Sequence, residues 1–210
     1  YSYPIKFPMT IIYAMKRHDK VCNYLDLPLQ HASDKILQSM RRQITRDETK
    51  QLIRDIRQMI PGIAVRTTFI VGFPGETEED FDQLCDFVRE MRFERLGVFQ
   101  YSHEEDTAAY EMEDDVPESI KAERANALMA IQQEISLELN QQKIGKIFKV
   151  LIDKKEGGYF YGRTEFDSVE VDNEVLIDAS SNYCSVGGFC DVIIDDATEY
   201  DLIGHVIQPG

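Results

Sequence analysis

Ala64-Val65-Arg66-Thr67-Thr68-Phe69-Ile70-Val71-Gly72-Phe73-Pro74-Gly75-Glu76-Thr77-Glu78-Glu79-Asp80 decides the fold of the first part of the chain. Residues 64–71 form a run rich in β-branched side chains and predict a strand, which Gly72-Phe73-Pro74-Gly75 breaks. Thr77 then caps a helix whose first turn holds Glu78, Glu79 and Asp80, where the helix dipole favours negative charge. Phe81, Leu84, Cys85, Val88 and Met91 fall on one face of that helix, and a second strand follows over 96–101. The strand at 64–71 is nearly apolar on both faces, the pattern of a parallel sheet covered by helices.

Upstream, Thr45-Arg46-Asp47-Glu48 is a capping box opening a helix with Leu52, Ile53, Ile56, Met59 and Ile60 on one side, and Pro61-Gly62 stops it. Residues 23–29 read as another strand, entered by a helix over 9–17 and left by one starting near Ser33. This makes three or four β-α units, too few to close a barrel of eight, and the chain opens inside such a unit, as a fragment would. A long helix over 118–143 places Ile120, Leu128, Ile131, Ile135 and Leu139 on one side. After Gly145 the period becomes two, with Phe148, Val150 and Ile152 alternating against Lys149, Leu151 and Asp153. Runs at 159–161, 169–171, 175–177, 190–194 and 202–207 complete five or six short strands, predicting a small antiparallel β-barrel of the OB-like kind related to nucleic-acid-binding barrels. The expected domains are 1–144, α/β with a long linking helix, and 145–210, all-β.

The chain has 210 residues, 43% of them apolar and 29% charged, and only 19 are Pro or Gly, which excludes disorder and collagen-like repeats. No apolar run approaches the roughly 18 residues of a membrane span, and Tyr1-Ser2-Tyr3-Pro4-Ile5-Lys6 lacks the order of a signal peptide. A cytoplasmic protein without membrane partners is the expectation. Its 38 acids against 23 bases give a net charge of −15, which opposes a role in neutralising phosphates. The cysteines at 22, 85, 184 and 190 match no metal-binding spacing, so no metal site is expected. Cys22 and Cys85 sit in apolar runs and read as reduced core residues, while Cys184 and Cys190 flank Gly187-Gly188 and read as neighbours across a turn.

Three segments join strand ends to residues that packing does not explain: Leu27 to Ser33, Arg66 to Glu76, and Phe99 to Thr107. In parallel α/β layers ligands bind off the carboxyl ends of strands. Arg66 and Thr68 alternate on an otherwise apolar strand and need a ligand or an ion pair, with Glu76 as a candidate acid. Each segment also has a plain reading. Gln30-His31 fits a strand cap, Gly72 to Gly75 a turn, and His103-Glu104-Glu105-Asp106 a solvated loop.

Taken in order, Leu27-Pro28-Leu29-Gln30-His31, then Phe69 to Phe81, then Phe99 to Thr107, resemble the C-terminal half of the radical S-adenosylmethionine domain of methylthiotransferases. Gly145 to Asp153, Tyr161-Gly162-Arg163-Thr164 and Asp201 to Val206 resemble that family's terminal barrel, the TRAM domain. Within the family the likeness is nearest to the branch that methylthiolates an aspartate of small-subunit ribosomal protein S twelve. The resemblance implies a partial parallel (β/α) barrel, S-adenosylmethionine and two 4Fe-4S clusters. It also implies a 5′-deoxyadenosyl radical that takes hydrogen from the aspartate β-carbon before a methylated sulfur is transferred. In the family the cluster cysteines lie N-terminal to the region represented here, so no cofactor is expected bound to this chain and its isolated form is expected to be inactive. The residues that carry over are cofactor-pocket walls: Gln30, Arg66, Thr68, Ile70, Gly72, Gln100 and Tyr101. No catalytic residue is assigned.

His103-Glu104-Glu105 stands where tRNA-modifying relatives commonly carry Pro-Arg-Pro-Gly, which implies binding of a basic substrate. Asp106 stands where this branch tends to have Gly, and the loop is expected to keep its shape because Asp adopts a left-handed backbone at modest cost. The expected partner is a basic small-subunit ribosomal protein or the ribosome, with weak or no direct RNA binding. Two other readings stay open: a tRNA methylthiotransferase, and a non-catalytic ribosome-docking module.

Overall fold

The structure is a computed structural model that describes residues 3–207; residues 1, 2 and 208–210, the outer ends of the two expected domains, lie outside the described residues. The chain divides into two compact units that part inside the long helix, the first holding residues up to Val21 and Leu25–Gln132, the second Cys22–Tyr24 and the chain from Gln133. Among the described residues no helix is long and apolar enough to cross a membrane.

In chain order α1 (Thr10–Arg17), β1 (Tyr24–Asp26), α2 (Asp34–Ser39), α3 (Arg46–Met59), β2 (Ala64–Val71), α4 (Glu78–Met91) and β3 (Arg95–Gln100), which lie in the first unit except for Tyr24, precede α5 (Glu118–Gln141), which continues into the second unit. The three strands form a parallel sheet in the order β1-β2-β3. Both expected capping boxes are present, with Thr45 paired to Glu48 and Thr77 to Asp80. Each satisfies amides that the first helical turn leaves open. β1 is shorter than 23–29, yet the pairing continues irregularly, since Leu27 N donates to Arg66 O and Gln30 N to Thr68 O, both at 2.9 Å.

Thr67, Phe69 and Val71 are buried on one face of β2, where Phe69 meets Phe87 and Phe93 edge-on at 6.2 and 6.0 Å. Arg66, Thr68 and Ile70 share the opposite face and are only half-buried. Phe99, in register with Ile70, is 62% exposed there. The expectation of helices over both faces therefore fails on one. Of the expected apolar stripe of α5, Leu128 and Ile135 are buried while Ile120, Ile131 and Leu139 are only half-buried, and in this unit the helix also buries Lys121, Arg124 and Gln132. A hydrophobicity pattern overlooks such a stripe because its polar members are buried by virtue of specific partners.

In the second unit β4 (Ile147–Glu156), β5 (Tyr159–Arg163), β6 (Val175–Asp178), β7 (Phe189–Ala197) and β8 (Leu202–Val206) close a barrel in the order β4-β5-β6-β8-β7 around Val150, Ile152, Phe160, Val175, Ile177 and Val192. It is not wholly antiparallel: β6 and β8 run parallel, with Val175 opposite Leu202. Residues 169–171 are not a strand. Asp172 Oδ2 accepts from Ser168 N at 2.8 Å, Asp172 N donates to Ser168 O at 3.2 Å, and Val169 and Val171 are exposed. Turn-forming Asp, Ser and Asn side chains outweigh two valines here. Cys22 is exposed rather than in the core, whereas Cys85 is buried and its thiol is pushed up to about 11 by that burial. Cys184 is pushed up to about 12, chiefly by burial and then by a hydrogen bond with Cys190.

Candidate functional site

The carboxyl ends of β2 and β3 open onto a cavity of about 330 Å³ whose wall includes Gln30, Ile70, Gln100, Tyr101 and Glu104. Its volume lies in the range of small-molecule pockets. Gln30 holds a left-handed backbone (φ 76°) while bridging to Phe69, so its position in the wall is set by a conformation that ordinarily costs an L-residue free energy.

The other expected site residues fall around this cavity rather than in its wall. Arg66 lies further back on β2, with Nη1 3.0 Å from Asp26 Oδ2, so its acid partner is Asp26 and not Glu76. Thr68 stands beside it, and a side chain at Gly97 would meet both at 3.9 Å, leaving this sheet face open above them. His103 approaches the Tyr101 hydroxyl at 3.2 Å and stacks on Tyr110 with ring centroids 4.7 Å apart. Glu104 accepts from Ser102 Oγ at 2.6 Å, and Glu105 is exposed. Asp106 adopts φ 63°, as expected for the position.

Gly72 belongs to a scaffold beneath the site. Its φ of 75° is left-handed, and a Cβ there would run into Lys121 Cγ. Lys121 is buried, donates to Asp114 and Glu118 at 2.7 Å each, and lies 5.4 Å from the Tyr101 ring centroid. Burial alone lowers its pKa, but the hydrogen bonds it donates to both carboxylates outweigh that and hold it above the ordinary lysine value. Burial, with the nearby Asp114 charge, raises the Tyr101 hydroxyl.

Glu76 is the hub. Its carboxylate accepts from Gly72 N at 3.0 Å and from Arg124 Nη1 at 2.7 Å, and His31 Nε2 lies at 3.2 Å. Because Ser33 N donates to His31 Nδ1 at 2.9 Å, the ring proton sits on Nε2 and points at Glu76. Asp80 ties the same loops a second time, accepting from Ser33 Oγ at 2.6 Å and Lys35 Nζ at 2.8 Å. Its burial acts to raise the pKa, but Lys35, Ser33 and Thr77 prevail and hold the carboxyl well below the ordinary range. The sequence shows Asp80 as a cap and Glu76 as a candidate acid for Arg66. Their partners His31, Ser33 and Arg124 lie 45 to 48 positions away, where no local pattern reaches. Arg41, Arg42 and Phe73 also line the cavity and were not foreseen; the only signal for the arginines is a basic pair at a helix end in an acidic chain.

Comparison with known proteins places this geometry in context. Residues 8–88 match the radical SAM superfamily and residues 144–207 the TRAM domain. The chain is 57% identical over 205 residues to ribosomal protein uS12 methylthiotransferase RimO of Flavobacterium johnsoniae, covering 98% of this chain and 47% of that protein. It is 58% identical over 208 residues to RimO of Christiangramia forsetii, covering 99% and 46%, and 50% identical over 207 residues to RimO of Prosthecochloris aestuarii, covering 98% and 48%. The chain thus spans about half the length of the curated relatives it matches.

Proposed function

We propose, from the premise that this chain belongs to the RimO family of radical SAM methylthiotransferases, that the complete protein adds a methylthio group to the β-carbon of an aspartate in a small-subunit ribosomal protein. The observation that carries this reading is a cavity at the strand ends whose wall includes Gln30, Ile70, Gln100 and Tyr101, in a chain so similar to RimO over nearly its full length. Residues 1–144 are read as the C-terminal part of the radical SAM domain, with the open face of β2 and β3 turned to the interior of a partial (β/α) barrel. Residues 145–210 are read as the TRAM barrel.

The donor set fits S-adenosylmethionine: side-chain amides from Gln30 and Gln100, aromatic groups from Phe73, Phe99 and Tyr101, and cationic groups from Arg41 and Arg42. Arg66, Thr68 and Gly72 support this wall from the same strand and the turn after it. When bound with its clusters, that cofactor supplies radical hydrogen abstraction. This chain's own part is to bind and orient. Glu76 and Asp80 hold the strand-end loops in place, and the sheet floor excludes water on its buried side. His103, Glu104 and Glu105 stand on the loop after β3, where a basic substrate would meet negative charge. Among the described residues no three His, Cys, Asp or Glu side chains converge, so the residues present do not fit a 4Fe-4S cluster. The two clusters belong to the complete protein, and the expected setting is the cytoplasm.

The test is mass spectrometry of ribosomal protein uS12 from cells lacking the gene. The target aspartate should lose its methylthio group and regain it on complementation. Loss of a methylthio group from tRNA with an unchanged ribosomal protein would overturn the reading.

A further inference from the structure

Arg41 and Arg42 line the cavity, yet among the described residues neither forms an ion pair. Elsewhere in this unit Lys35, Arg54, Arg57, Arg66 and Arg124 each hold a carboxylate. Arg42 lies over the Tyr3 ring at 5.0 Å. The one acid in the cavity wall, Glu104, accepts from Ser102 instead.

The backbone adds an independent observation. Arg42 N donates to Leu37 O at 2.8 Å and Arg41 N to Gln38 O at 2.9 Å, which is the Schellman closure of α2, and Arg41 occupies its left-handed position at φ 57°. Glycine is the usual residue there because a Cβ costs about 1–2 kcal/mol in that conformation. That conformation also occurs at Arg92, so it does not mark a ligand by itself; what sets Arg41 apart is a side chain that lines the cavity with no protein acid to hold it among the described residues, which leaves it available to a ligand.

We propose that Arg41 and Arg42 form a carboxylate-binding wall of this cavity. Two guanidinium groups from adjacent residues present the planar forks that match a carboxylate. The inference rests on the reading of the cavity as the cofactor and substrate site, in which two carboxylates occur: the methionyl end of S-adenosylmethionine and the side chain of the target aspartate. Neutralising the wall would weaken whichever ligand carries its carboxylate there, and leave the same ligand without that group unaffected.

The experiment measures binding, by equilibrium dialysis, to the complete protein with its clusters reconstituted. The probes are S-adenosylmethionine, decarboxylated S-adenosylmethionine, and a peptide of the uS12 target loop carrying either Asp or Asn. Arg41→Gln and Arg42→Gln are each expected to weaken one carboxylate-bearing probe by about 10- to 100-fold, the worth of a charge-assisted hydrogen bond, with its carboxylate-free counterpart within about twofold. Loss on the cofactor pair assigns the wall to the methionyl carboxylate, and loss on the peptide pair assigns it to the aspartate. Arg41→Gly relaxes the turn and removes only the side chain, so it should reproduce Arg41→Gln. The proposal is overturned if the variants bind all four probes normally, or if probes with and without the carboxylate weaken equally; in both cases wild-type cofactor binding leaves the cavity reading standing. Failure of the unsubstituted protein to bind S-adenosylmethionine or the peptide removes that reading and the proposal together.

Discussion

Glu76 Oε1 accepts a 2.7 Å hydrogen bond from Arg124 Nη1 with both side chains buried, joining the turn after β2 to α5. The other oxygen of the same carboxylate receives Gly72 N and faces His31, so one residue fixes two strand-end loops and a helix. Removing it strands a buried guanidinium, whose remaining acid contact is the largely exposed Glu78 at 3.3 Å. Glu76→Ala should therefore cost about 3–5 kcal/mol, the usual loss on breaking a buried pair. Glu76→Gln keeps one of the two oxygen acceptors and should cost less, about 1–3 kcal/mol. Urea midpoints at neutral pH should fall in the order wild type, Glu76→Gln, Glu76→Ala. Equal midpoints for all three would show that the network is not a scaffold.

Gly72 and Gly75 both have left-handed backbones, at φ 75° and 78°, but a Cβ at Gly75 meets nothing within 4 Å while one at Gly72 meets Lys121. Lys121 cannot swing aside easily because Asp114 and Glu118 hold its amine. Gly75→Ala should cost only the backbone strain of about 1–2 kcal/mol. Gly72→Ala should add an overpacking penalty of about 1–3 kcal/mol and raise the exposure of Tyr101, readable as a change in tyrosine fluorescence. If the two substitutions shift the unfolding midpoint alike, the packing of Lys121 under Gly72 is not rigid.

What the sequence disclosed and what it hid separate along a physical line. Thr45 with Glu48 and Thr77 with Asp80 are readable because a capping box spans only four residues, and the strand at 64–71 because its apolar residues recur locally. The positions of Gln30, Ile70, Gln100 and Tyr101 at one cavity follow from parallel strand order, which the resemblance implied. Lys121, Arg124 and the partners of Glu76 stayed hidden because a buried charge carries no hydrophobic signature; only the partner it meets in the fold explains it. Arg41 stayed hidden for another reason, since its left-handed cap is a backbone property that sequence patterns assign to glycine.

The pH dependence of stability should show Asp80. Its pKa is lower in the folded chain than its ordinary 3.8, so its contribution is complete above that value and is lost as pH falls below it toward the folded value. Folding stability should decline with acidification in this range, and Asp80→Asn should flatten that decline while lowering stability at pH 7 by about 1–2 kcal/mol through the weakened cap. Chemical unfolding of both proteins between pH 7 and pH 2.5 makes the comparison. A parallel decline in the variant would assign the acid sensitivity to other carboxylates.

Anaerobic treatment of the 210-residue chain with iron and sulfide should leave it colourless. Among the described residues no three His, Cys, Asp or Glu side chains come together, so the three cysteines that a cluster needs do not meet there. A stoichiometric visible absorption band would contradict this.

The barrel should favour a basic protein over RNA. Residues 145–210 carry five bases against thirteen acids, a net of −8. Three of those bases lie against aromatic rings, with Lys154 over Tyr161 at 4.8 Å, Lys155 over Phe160 at 4.9 Å and Lys149 over Phe189 at 5.9 Å. Phe160 is itself in the barrel core, so it offers no stacking platform, and the faces of Tyr161 and Phe189 have a lysine close by. Tyr159, Tyr183 and Tyr200 are exposed, so rings are present on this surface; what it lacks is the basic groove that single-strand binding also needs. A basic ribosomal protein would instead be drawn by the acids, with an association rate that falls as salt rises. Titrating the chain with uS12 and with tRNA at low and moderate salt should give tighter binding to uS12. Charge reversal at the exposed Asp191 and Asp195 of β7 should slow association by about two- to tenfold with little change in dissociation, as for steering charges at a rim. Tighter binding to tRNA, strengthened by the same reversals, would assign the barrel to nucleic acid and overturn its expected preference for a basic protein.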